Sequence, residues 1–140
     1  MRAVLDTNVI ISRYLTPHGR VARIVDLWEA DAFELIVSEV ILSEYGRVLR
    51  YPRHRRVHRL TDTQLAELDD AFREFSELIT PDETPAVIED ERDDDHFLAA
   101  AAAGRVDGLV TGDPHLLKLG IYRGIPILRP ADFLARYFHE

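Results

Sequence analysis

The stretch Ala3-Val4-Leu5-Asp6-Thr7-Asn8-Val9-Ile10-Ile11 constrains this chain more than any other. A short apolar run so near the N-terminus reads as a buried strand. It stops abruptly at three polar side chains, and apolar residues resume at once. In an open α/β sheet, the carboxyl ends of central strands are where chemistry is placed. A carboxylate held there beside apolar walls is costly unless it binds something. The alternative is a helix cap, since Asp, Thr and Asn all cap well. The rest of the chain bears on this choice, because further acidic positions fall where a parallel sheet would bring them to Asp6.

The chain alternates strand and helix signals. Val9-Ile10-Ile11 and Tyr14-Leu15 predict a short helix that stops before Pro17 and Gly19, and Val21, Ile24, Val25 and Trp28 recur at helical spacing in a second. Residues 33–37, rich in branched side chains, predict a strand, and Ser38 is placed as the N-cap of a helix from about Glu39 to Leu49. Tyr51-Pro52 breaks that helix. Thr61 and Gln64 form a capping box that opens a long helix with Leu65, Leu68, Phe72, Phe75 and Ile79 as its core stripe. Leu78-Ile79-Thr80 ends it or forms a short edge strand, and Pro81 to Glu91 reads as a loop. The alanine run 99–103 predicts a helix lying close to the sheet and stopped by Gly104. Residues 108–111 and 125–128 read as strands, Leu116-Leu117 as a short helical turn and residues 130–138 as a closing helix. This alternation indicates a single α/β domain with a parallel sheet and right-handed crossovers.

Composition narrows the chemistry. The chain has no cysteine, so disulfides and thiolate metal sites are excluded and a cytoplasmic location is expected. No apolar run is long enough to span a bilayer, and no signal peptide is expected ahead of Asp6. The net charge of −8 argues against binding polyanions over the whole surface. Charge is uneven, however. About half of the 25 acids lie in residues 67–95, whereas Arg47, Arg50, Arg53, Arg55, Arg56 and Arg59 cluster in a short basic segment. Nucleic acid would be bound locally, through that segment.

Asp113 repeats the arrangement at Asp6, a carboxylate following the apolar run Gly108-Leu109-Val110-Thr111. Glu44 lies within the apolar stripe Val37, Ile41, Tyr45 and Val48, where a glutamate costs stability unless it reaches a cation or snorkels outward. Asp93-Asp94-Asp95 opens the alanine-rich helix, where acids also suit the helix dipole. If the first and fourth strands are neighbours, Asp6 and Asp113 flank a topological switch point. Four acids converging there would repel one another. A divalent ion resolves this, and hard oxygen donors specify Mg²⁺ or Mn²⁺, a combination suited to phosphodiester hydrolysis. Spacing favours Asp94 as the inward member of the triplet and leaves Asp95 open. Glu91 could support the site from outside the ligand set.

The order and spacing of Leu5-Asp6-Thr7-Asn8-Val9, Ser38 to Leu49 with Glu44, Asp93-Asp94-Asp95-His96-Phe97-Leu98, and Val110-Thr111-Gly112-Asp113 resemble the PIN-domain family of metal-dependent ribonucleases. The resemblance runs from residue 2 to about residue 130. It implies an acidic quartet of Asp6, Glu44, Asp94 and Asp113, with Asp6, Asp94 and Asp113 as metal ligands. Asn8, Ser12, Thr111 and Asp95 would support them. It also implies a three-layer sandwich around a five-stranded, mostly parallel sheet, cleavage of single-stranded RNA, and frequent homodimerisation. Many family members are toxins with an antitoxin partner, and the match is best to that branch. The adjacent aspartates depart from the pattern and leave the third ligand open.

Two other folds fare worse. A haloacid-dehalogenase-like phosphatase needs a second aspartate two residues after the first, where this chain has Asn8. A receiver domain needs paired acids that the first strand lacks. A PIN-like RNA-binding or interaction module without turnover is the non-enzymatic alternative, and the four intact acids speak against it. For Arg53, Arg55, Arg56 and Arg59, RNA contact competes with neutralising the acidic helix over residues 62–78.

Overall fold

The computed structural model describes residues 1–81 and, from the backbone of Asp95 onward, 95–140. The loop expected from Pro81 to Glu91 lies almost wholly outside these residues, as do Glu91, Asp93 and Asp94.

Five of the six strands are parallel, and four of these form the centre and one side of the sheet. They are β1 (Arg2–Leu5), β2 (Glu34–Val37), β3 (Glu77–Leu78) and β4 (Gly108–Val110), joined on the far side by β5 (Ile121–Tyr122) and β6 (Ile125–Leu128). Their order is β3-β2-β1-β4-β6-β5. β1 lies between β2 and β4, with Ala3 opposite Leu35 on one side and Gly108 on the other. The first and fourth strands are therefore neighbours, which meets the condition for Asp6 and Asp113 to flank a switch point. Successive strand residues face opposite sides of a sheet, yet Ala3, Val4 and Leu5 are all fully buried. Both faces are thus covered, as in a three-layer α/β sandwich.

The sheet has six strands where five were expected. The additional strand, β5, runs antiparallel to β6 at the sheet edge, pairing Tyr122 with Ile125. Arg123 and Gly124 between them both have positive φ, at 48° and 80°. That is the backbone of a two-residue hairpin turn whose twist matches its strands.

The helices are α1 (Thr7–Leu15), α2 (Ala22–Glu29), α3 (Glu39–Leu49), α4 (Pro52–His58), α5 (Asp62–Glu74), α6 (Asp95–Gly104), α7 (Pro114–Leu117) and α8 (Pro130–Phe138). Ser38 caps α3 through the Ile41 N–H at 3.3 Å, and Thr61 with Gln64 closes the capping box of α5. α6 packs against β1, β2 and β4. A Cβ on Gly104 would stand 2.7 Å from Ile36 Cγ2, so the end of that helix approaches β2 too closely for a side chain.

One expectation is extended and one corrected. α3 ends at Leu49, just before the break expected at Tyr51-Pro52, and Pro52 does more than break it. It opens α4 at the first helical position, where a missing N–H costs nothing. The core stripe of α5 stops at Phe72, because the helix ends at Glu74 and leaves Phe75, its C-cap, 67% exposed. Phe72 itself anchors the core, stacking on Trp28 at 5.7 Å and meeting Tyr45 edge-on at 5.6 Å. No helix of the described residues is long and apolar enough to cross a membrane.

Candidate functional site

β1 and β4 end side by side, and each leads into a helix whose N-cap is an aspartate, at once after β1 and through Thr111-Gly112 after β4. The Asp6 N–H donates to the Val110 carbonyl at 2.9 Å, extending the ladder by one bond. Asp6 then caps α1, accepting the Asn8 N–H on Oδ1 at 3.1 Å. Capping and burial coincide here, since Asp6 is only 6% exposed. Thr111, fully buried, follows β4 and donates its hydroxyl to Asp6 Oδ2 at 2.5 Å. The same hydroxyl oxygen accepts the Asp113 N–H at 2.9 Å. Asp113, half-buried, caps α7 through the His115 N–H at 2.8 Å.

Glu44 reaches this cleft from α3. Its carboxylate accepts a short hydrogen bond from the buried Thr7 hydroxyl, and Arg47 lies 3.6 Å from its other oxygen. With its side chain 19% exposed, Glu44 neither projects into solvent nor sits in the apolar core. Tyr45, fully buried beside it, donates to the Leu5 carbonyl at 2.5 Å and so ties α3 to the last residue of β1.

Burial pushes the Asp6 carboxyl above the ordinary aspartate range. The bonds from Thr111 and Asn8 pull it down, and the nearby negative charges of Asp113 and Glu44 push it up again. These carboxylates therefore feel one another, and a cation between them would relieve both burial and repulsion. All the donors are hard oxygens, which fits Mg²⁺ or Mn²⁺ in chemistry. Among the described residues, however, no three His, Asp or Glu side chains come close enough together to hold an ion. Asp94 and the Asp95 side chain lie outside the described residues.

The supporting residues divide. Thr111 is built into the site. Asn8 contributes its backbone N–H, while its residue is exposed. Ser12 donates its hydroxyl to the Val9 carbonyl at 2.5 Å, a local bond within α1. From sequence, Thr7 was not singled out, Tyr45 read only as part of the apolar stripe of its helix, and Arg47 only as one of the basic segment. Thr7 carried a weak signal in its place between Asp6 and Asn8, but its contact with Glu44 spans 37 positions and no local pattern shows it.

In the basic segment, Arg55 pairs with Asp62, and the Arg53 guanidinium lies over the Tyr51 ring at 5.3 Å. Arg56 is exposed on α4, and Arg59 is exposed at its left-handed C-cap. His54 and His58 donate to the Val48 and Leu49 carbonyls at 2.7 and 2.8 Å, satisfying groups at the end of α3.

A parallel sheet carrying paired carboxylates at its β1/β4 switch point defines an acidic-site α/β fold. The PIN domain profile matches residues 2–115, and the chain belongs to the PIN domain family. An uncharacterized protein of Methanocaldococcus jannaschii is 30% identical over 119 residues, covering 85% of this chain and 75% of that protein. Two solved structures are similar in fold. VapBC2 from Rickettsia felis, bound to a DNA fragment from its promoter, matches with a TM-score of 0.58 at 15% identity. FitAcB from Neisseria gonorrhoeae matches with a TM-score of 0.57 at 19% identity. Each match covers 92% of this chain and 98% of the other.

Proposed function

We propose that this PIN domain is a metal-dependent endoribonuclease that hydrolyses phosphodiester bonds of single-stranded RNA. The observation that carries this reading is Asp6, a buried carboxylate at the end of β1 that faces the charges of Asp113 and Glu44. Such a group is expensive to keep ionised without a cation. Asp6 and Asp113, together with Asp94, would hold Mg²⁺ or Mn²⁺, and Glu44 completes the acidic set. A bound divalent ion supplies activation of water and stabilisation of the leaving oxygen.

The chain's own residues set the geometry. Thr111 fixes Asp6 against the backbone of Asp113. Thr7 holds Glu44 toward the same cleft. Asn8, Ser12 and Asp95 support this arrangement, and Arg53, Arg55, Arg56 and Arg59 receive RNA phosphates. The biological role in this reading is that of a cytoplasmic toxin, homodimeric and neutralised by an antitoxin protein. Family membership and the likeness to VapBC2 and FitAcB support it.

A metal-titrated cleavage assay on mixed RNA tests the proposal, comparing wild type with Asp6→Asn. Cleavage should require Mg²⁺ or Mn²⁺, and Asp6→Asn should remove it while the protein stays folded. Full activity in excess chelator would overturn the reading. RNA binding without any turnover would favour a binding module.

A further inference from the structure

We infer that Arg47 grips a backbone phosphate of the RNA at the mouth of the acidic site, an inference that rests on the nuclease reading above. Arg47 lies on the last turn of α3, three residues beyond Glu44. Its side chain lines two neighbouring clefts. One, of about 370 Å³, contains Glu44, Ser43 and His96. The other, of about 350 Å³, runs between α3 and α5 past Arg50 and Arg73. Arg47 is therefore the cation shared by the cleft that holds Glu44 and the groove leading away from it.

Its neighbours in that groove are already engaged. Arg73 grips Glu39 with both arms at 2.7 and 2.8 Å. Arg50 binds Asp69 at 2.7 Å and its own helix at the Gly46 carbonyl. Among the described residues, Arg47 makes no side-chain hydrogen bond. Its distance of 3.6 Å to Glu44 is longer than a hydrogen bond allows, and its side chain is 62% exposed. A pair this long, with its arginine largely in solvent, adds little to stability. A planar fork of donors held loosely beside a hydrolytic site is suited to a phosphate, which it can bind with two bonds. The competing role is structural, with Arg47 complementing the end of the α3 dipole and steadying Glu44.

The test measures binding of a labelled single-stranded RNA oligonucleotide by fluorescence anisotropy in chelator, from about 50 to 200 mM salt. Arg47→Ala should lower the slope of log affinity against log salt by about 0.7, the share of one single-strand phosphate contact. It should weaken low-salt binding by about tenfold, as loss of a charged hydrogen bond does. Arg47→Lys should keep the slope. In cleavage, Arg47→Ala should raise KM and leave kcat nearly unchanged, the signature of lost uniform binding. An unchanged slope together with a lowered kcat would overturn the inference and leave Arg47 as a support for Glu44. If wild type itself neither binds nor cleaves RNA, the nuclease reading falls and this inference falls with it. If wild type does both and only the slope is unaltered, this inference alone fails.

Discussion

Thr111 and Asp6 are joined across the seam between β4 and β1 by a 2.5 Å hydrogen bond, with the hydroxyl as donor and Oδ2 as acceptor. This bond draws the Asp6 pKa downward, against the burial that draws it upward. The upward pull wins, so protonation of Asp6 favours the folded state. Its contribution to stability is present below the ordinary carboxylate range and is lost as pH rises through the raised native value. Metal-free wild type should therefore lose stability across that window, and Asp6→Asn should flatten the loss. Thr111→Val, nearly isosteric, should extend the loss to higher pH and cost about 1.5–3 kcal/mol where Asp6 is ionised. Thermal melts against pH in chelator check this, and identical profiles for Thr111→Val and wild type would contradict it.

Glu44 and Thr7 should behave as a unit. Glu44→Gln should weaken metal binding and slow cleavage. Thr7→Val should reproduce part of the effect, by about tenfold in metal affinity, as is usual for groups that orient a ligand. Calorimetric metal titration of both variants decides the matter. Unchanged affinity in both would make Glu44 a residue that only seals the edge of the core.

The basic segment makes a prediction about salt. Replacing Arg56 and Arg59 with alanine should lower the salt slope of RNA binding by about 1.4, from two single-strand phosphate contacts. Arg55→Ala should change it less, because Arg55 is already paired with Asp62. A slope that Arg56 and Arg59 do not move would assign the segment to folding or to a protein partner.

Asp94 and Asp95 can be told apart by the sign of a stability change. Relieving repulsion among converging carboxylates should raise the melting temperature of the metal-free protein. The aspartate that faces the cleft should thus give a more stable asparagine variant, and Mg²⁺ should stabilise that variant less than wild type. An aspartate that only caps α6 should lose about 0.3–1 kcal/mol of dipole contact and keep the wild-type metal response. Paired melts of Asp94→Asn and Asp95→Asn, with and without Mg²⁺, make the assignment.

The parts of this fold that were legible in sequence are those decided locally. Ser38 fixes the start of α3, Thr61 with Gln64 fixes that of α5, and the two strand-ending aspartates fall beside each other because β1 and β4 pair. Local signals also misled. Pro52 signals the break after α3 rightly, but its missing N–H is harmless at a first position, so the helix it opens went unread. The β5–β6 hairpin was hidden because Arg123 carries the left-handed angle that Asn or Gly would have advertised. Phe75 continued a periodic stripe past the end of its helix. The bonds that hold the acids in place are tertiary. Tyr45 finds Leu5 forty positions away, and only the assembled sheet makes that contact visible.

Arg2, at the opposite end of β1, binds Glu34 at the start of β2, Glu77 at the start of β3 and the Gly104 carbonyl at the end of α6, while its N–H donates to Asp107 ahead of β4. One guanidinium thus staples the amino-terminal ends of β1, β2 and β3 to the end of α6. Among the described residues, carboxylates at this end of the strands are paired with Arg2, while at the other end Asp6 is buried with Asp113 and Glu44 near it. A fluorophore, an affinity tag or a surface linker placed near Asp107 would therefore leave the acidic pole facing solution. Loosening the staple would fray the sheet from the end farthest from the cleft.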